Sequence, residues 1–102
     1  MAFRRVGAAG ELREGEMLDV DLGDERRVVV CNVGGMLYAM DGVCPHRQGP
    51  LGQGALHGTM VVCPWHAWEF DCTTGEHDYN RTLKLRLYPV KVDGDDILVD
   101  VD

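Results

Sequence analysis

Apolar residues in this chain recur at every second position in short runs, and glycine or proline soon cuts each run off. A period of two is the signature of a half-buried strand. Between Glu16 and Leu22, residues Leu18, Val20 and Leu22 point one way and Met17, Asp19 and Asp21 the other. Arg26 to Val33 is β-branched, with Val28, Val29 and Val30 consecutive, and Gly34-Gly35 separates it from Met36 to Met40. Two such runs split by Gly-Gly predict a hairpin. Residues 2–6 suit a short edge strand, while Glu11 to Glu16 is polar and turn-like. Thr59 to Cys63 and Trp68 to Asp71 are further short strands, the second closed by the turn Thr73-Thr74-Gly75. Leu83, Leu85 and Leu87 alternate with Lys84 and Arg86, and the phase then moves by one across Tyr88-Pro89 to Val90 and Val92. Such a shift beside proline predicts a bulge or bend. Ile97, Val99 and Val101 form a last alternating run. The expectation is an all-β fold, a small antiparallel sandwich or barrel of about eight strands with almost no helix.

The size, 102 residues, fits one domain spanning 1–102. Ten Lys and Arg against seventeen Asp and Glu leave a net charge of −7, which disfavours nucleic acid and anionic membranes as partners. Asp93, Asp95, Asp96, Asp100 and Asp102 all follow the last base, Lys91. They read as a solvated face or as one that steers a basic partner. No stretch approaches the ~20 apolar residues of a membrane helix. The Arg4-Arg5 pair is followed by Glu11, Arg13, Glu14 and Glu16 rather than by an apolar run, so no export signal is expected. A cytoplasmic setting follows, in which four cysteines suggest metal ligands or buried thiols rather than disulfides.

Two loops carry the chemistry. Residues 41–54 contain Cys44-Pro45-His46 and then Gly49-Pro50-Leu51, and residues 63–75 begin Cys63-Pro64-Trp65-His66. Each pairs one thiol with one imidazole, as C-x-H and C-x₂-H, with sixteen residues between His46 and Cys63. Three readings compete. Unrelated buried residues leave the repeated pairing unexplained. A structural zinc site also takes Cys₂His₂, but zinc fingers group Cys with Cys and His with His. A 2Fe–2S cluster in which two His replace two Cys on one iron uses mixed arms of this kind.

The segments C-P-H-R-Q-G-P-L-G (44–52) and C-P-W-H-A-W-E-F-D-x₃-G (63–75) resemble the signature of the Rieske family. That resemblance implies an antiparallel β-sandwich with a smaller cluster-binding subdomain inserted. It implies that Cys44 and Cys63 bind the inner iron, and that His46 and His66 bind the outer iron near solvent. An oxidised site with two thiolates and two imidazoles is neutral, whereas an all-Cys site carries two negative charges. The mixed site therefore accepts an electron more readily. Ligating His normally keeps its outer nitrogen protonated, so deprotonation there would couple potential to pH.

Respiratory members of the family carry a further Cys in each loop, joined as a disulfide; the equivalent positions here are Gly49 and Trp65. Their sulfur-bonding Ser and Tyr correspond to Trp68 and Phe70, which have no hydroxyl. A potential near the bottom of the family range, about −150 to +300 mV, is expected. Trp65 is a candidate shield over the cluster and an apolar contact for a partner, and Trp68 is either that or core packing. Arg47 is either a solvated loop residue or a source of positive charge at the tip. Cys31 reads as a small buried hydrophobe, Cys72 as a loop thiol, and His57 and His77 as surface turn residues.

Rieske oxygenases join this domain to a larger one holding a mononuclear iron on two His and a carboxylate. Only His57 and His77 remain for such a role, and no Gly-rich nucleotide motif is present. The resemblance thus implies an electron carrier rather than an enzyme. Its partners would be a flavin-dependent NAD(P)H reductase and a terminal oxygenase such as a ring-hydroxylating dioxygenase, docking at the His46/His66 tip. The alternative is the small subunit of an assimilatory NAD(P)H nitrite reductase.

Overall fold

The computed structural model describes residues 3–45, 48–65, 67–80 and 82–101. Its strands are β1 (Phe3–Ala8), β2 (Met17–Gly23), β3 (Arg26–Val33), β4 (Met36–Asp41), β5 (Ala55–His57), β6 (Met60–Val62), β7 (Glu69–Asp71), β8 (Leu87–Tyr88), β9 (Val90–Asp93) and β10 (Asp96–Asp100). They form three antiparallel sheets, ordered β1-β10-β9, β2-β3-β4-β8 and β5-β6-β7.

The Val-rich run explains how the sheets stack. Val28 to Cys31 are all fully buried, because β3 is the inner strand of a sheet covered on both faces. Val28 and Val30 face one core, with Leu12, Ala39, Tyr88, Ile97, Val99 and Val101. Val29 and Cys31 face the other, with Met40, Cys44, Leu51, Val61, Cys63, Phe70 and Cys72. The first core closes the sandwich between the β2-β3-β4-β8 and β1-β10-β9 sheets. The second joins the sandwich to the β5-β6-β7 sheet and its loops. A fully buried Val or Leu side chain contributes about 1.5–3 kcal/mol, so both cores add substantially to stability.

The Gly34-Gly35 hairpin forms as expected: both residues have positive φ, 60° and 94°, and Val33 pairs with Met36. The alternation at Leu83–Leu87 does not become a strand. Only the Glu76↔Lys84 bridge forms there, Leu85 is buried, and pairing with β4 waits until Leu87–Tyr88. The phase shift at Pro89 has a clear cause, for the chain crosses from one sheet (β8) to another (β9). The acidic C-terminal stretch is partly used inside the fold. Asp95 Oδ1 accepts the Gly10 amide at 2.8 Å, Asp96 pairs with Arg5 at 2.6 Å, and Asp100 is buried. Asp102 lies outside the described residues. No helix is long and apolar enough to cross a membrane among the described residues.

Candidate metal centre

The two cluster loops share one backbone frame. In the first, the Cys44 amide donates to the carbonyl of Gly49 at 2.9 Å. In the second, the Cys63 amide donates to the carbonyl of Trp68 at 2.7 Å. Each bond spans five residues and encloses a tip. The fourth residue after each cysteine, Gln48 in one loop and Ala67 in the other, takes a left-handed φ, 59° and 58°. The strands explain the matching bases. β6 runs into Cys63 and β7 leaves from Trp68, with Val62 paired to Glu69. In the first loop the Val43↔Pro50 bridge does the same work.

This frame places Cys44 and Cys63 at the bases of their loops, both buried in the same core. Their thiols are neighbours, and Cys44 adds to the upward shift of Cys63. Burial pushes the Cys63 thiol up, opposed by the Trp65 N–H, which donates to its Sγ at 3.4 Å. Gly49 packs against the same sulfur. A Cβ there would lie 2.8 Å from Cys63 Sγ and 3.3 Å from the Trp65 ring, so only a bare backbone fits. Gly49 thus lies against the Trp65 indole, with no thiol at either position. His46, Arg47 and His66 lie outside the described residues. Among the described residues no third His, Cys, Asp or Glu converges with other such groups.

Two adjoining buried sulfurs, one met by an amide N–H and approached by bare backbone, suit the inner iron of a 2Fe–2S cluster. Thiolates that bind iron need that burial and those amide donors. Trp65 is half-exposed beside them. Trp68 packs as core, 6.4 Å from Phe70 and 4.7 Å from His77 between ring centroids.

One sequence reading is corrected. His77 is not a surface turn residue but is buried, because the chain folds back after β7 and bridges it to Phe70. Cys72 lies in the turn after β7, as expected, with its amide donating to the carbonyl of Thr59 and its side chain buried in the core that also holds Cys31. The neighbouring Cys72 thiol and burial push the Cys31 thiol up, while the Cys31 neighbour pushes the Cys72 thiol down against burial. Cys31 is buried as expected, and His57 is exposed as expected but ends β5 rather than lying in the turn.

The family model of the Rieske [2Fe-2S] domain matches residues 2–89. The ferredoxin component of biphenyl 2,3-dioxygenase from Rhodococcus jostii (strain RHA1) is 37% identical over 103 residues, covering 100% of this chain and 95% of that protein. The ferredoxin of carbazole 1,9a-dioxygenase from Nocardioides aromaticivorans IC177 superposes with a TM-score of 0.87 at 31% identity, covering 100% of both chains. A chain in the complex of reduced oxygenase and oxidised ferredoxin of carbazole 1,9a-dioxygenase superposes with a TM-score of 0.86 at 28% identity, covering 95% of this chain and 91% of that one.

Proposed function

The chain belongs to the Rieske [2Fe-2S] domain family, whose cofactor is one 2Fe–2S cluster, and from that premise we propose that it is a one-electron carrier between an NAD(P)H-dependent flavin reductase and a terminal oxygenase. The observation that carries the reading is the pair of buried sulfurs, Cys44 and Cys63, at the bases of two matched loops. The match to ferredoxin components along the whole chain supports a carrier over a reductase subunit. Residues 1–102 act as one cluster-binding domain in a cytoplasmic setting.

Cys44 and Cys63 would hold the inner iron of the cluster as thiolates and His46 and His66 the outer iron, and the bound group would supply a centre for taking up and returning one electron. The Trp65 N–H stabilises negative charge on the Cys63 sulfur, and the Trp65 ring covers the same side while half its surface remains for a partner. The partner meets the tip bearing His46 and His66. An acidic carrier of net charge −7 favours a basic docking face, which speeds encounter and lets it separate again.

Electron paramagnetic resonance of the dithionite-reduced protein tests the ligand set. The expected result is a Rieske signal with an average g below that of all-Cys clusters. A colourless, silent protein holding zinc would overturn it. A redox titration should place the midpoint near the bottom of the family range, about −150 mV. A value well above zero would remove the low-potential assignment.

A further inference from the structure

His77 is buried where the chain folds back across β7, and both its ring and its amide are engaged. Its Nδ1 accepts the amides of Tyr79 at 3.3 Å and Asn80 at 3.1 Å. Two donors at Nδ1 put the ring proton on Nε2, which faces Asp78 Oδ1 at 3.5 Å. Its own amide donates to the carbonyl of Leu83 at 3.0 Å. Its ring stands edge-on to Trp68 and Phe70, with centroids 4.7 Å and 5.2 Å away. Such aromatic pairs hold one another's orientation beyond what burial alone gives.

Trp68 is the residue that closes the Cys63 loop, through its carbonyl. Both loops are fixed by main-chain pairing beyond that carbonyl, by the Val43↔Pro50 bridge in the first and by Val62 with Glu69 in the second, and the second alone adds the His77 ring against its closing residue. We propose that His77 is a positioning residue for electron transfer: its ring buttresses Trp68 and so holds the loop bearing Cys63 and His66, while its Nδ1 ties down the 77–80 turn. The effect on the cluster rests on the ligand reading above; the effect on Trp68 does not.

Two substitutions separate the two halves of the side chain. His77→Asn keeps an acceptor for the amides of Tyr79 and Asn80 but removes the ring. His77→Phe keeps the ring and leaves those amides without an acceptor. In the holoprotein, His77→Asn is expected to lose its cluster to a chelator about tenfold faster, the usual scale for losing a residue that supports a ligand. His77→Phe is expected to keep the wild-type rate, although it unfolds at lower urea. A purely structural role would instead rank the chelation rates by unfolding midpoint, and that ranking would overturn the proposal. An unchanged rate in His77→Asn would do the same, whether or not His77→Phe folds.

A second readout needs no cluster. In a Trp65→Phe background Trp68 is the one remaining tryptophan, since the chain has two. Acrylamide quenching of the apoprotein should rise with His77→Asn and stay at the parent value with His77→Phe. Equal quenching in parent and His77→Asn means that the ring does not hold Trp68, and the proposal fails. A wild-type protein without a Rieske signal removes the ligand reading, while this quenching comparison still decides the role of His77.

Discussion

The two cluster loops are alike in backbone and unlike in support. Both close a cysteine amide onto the carbonyl five residues later, and both turn through a left-handed residue just before it. The first is locked by main-chain bonds and by a glycine thin enough to lie on the other loop's sulfur. The second is closed by the β6–β7 pairing and adds a set of edge-on rings, Trp68 on His77 on Phe70, and it presents a half-exposed indole. A backbone frame sets where a sulfur sits. The side chains around it set how firmly the frame is held and what it offers to a partner.

If the frames are equivalent, removing either sulfur should have the same consequence. Cys44→Ser and Cys63→Ser should each yield protein without the Rieske signal and with little iron, because neither loop can replace the other's thiolate. This is the largest effect expected. Iron content and the reduced spectrum measure it. A variant that kept a normal cluster would show that its loop supplies no ligand.

Gly49→Ala comes next and tests how the loops touch. Its Cβ would meet Cys63 Sγ at 2.8 Å, closer than such atoms approach, with the Trp65 ring behind it. The loops must part by a few tenths of an ångström, at a cost of about 1–3 kcal/mol for overpacking. Since the displaced atom is itself the sulfur, cluster retention should suffer together with stability. A normal cluster and a normal unfolding midpoint would mean that the loops lie further apart than the geometry gives.

How much of this was legible in the sequence follows from how local each feature is. The ligand pattern and the Gly-Gly hairpin are short-range, and both could be read from spacing. The run Val28–Cys31 announced a buried strand, but not that its alternate residues feed two different cores. The burial of His77 depends on the chain returning across β7, a contact that no local pattern encodes. Leu83–Leu87 alternates like a strand, yet β4 is free to pair only with its last residue and Tyr88. β5, three residues long, is too short to show a period. The two His of the motif rest on spacing alone, since His46 and His66 lie outside the described residues.

A smaller effect tests the shared left-handed turn. Gln48 and Ala67 hold φ of 59° and 58°, which costs a residue with a side chain about 1–2 kcal/mol. Glycine removes that cost but adds about 0.5–1 kcal/mol of unfolded-state entropy. Gln48→Gly and Ala67→Gly should therefore each stabilise by about 0.5 kcal/mol, or roughly 2–4 °C in Tm for a domain of this size. Equal gains support equivalent frames. A gain in only one loop would show that the other's turn is held by contacts its side chain makes.

The last difference lies at the entrances. β4 enters the first loop through Asp41, a partly buried carboxylate, whereas β6 enters the second through Val62. Burial pushes the Asp41 carboxyl above its ordinary range, against the Val43 amide and the charges of Arg26 and Arg86, which favour the ionised form. The folded chain thus holds this proton more tightly than the unfolded chain. Asp41 contributes its stabilising share in full below the ordinary carboxylate pKa and loses it as pH rises through the raised one. Relative to Asp41→Asn, the wild-type urea midpoint should fall as pH rises from the ordinary carboxylate pKa through the raised one, by a modest amount because the group keeps some water. Midpoints that run parallel over that range would mean that Arg26, Arg86 and the amide offset burial completely. The first loop's entrance would then be as indifferent to pH as the second's.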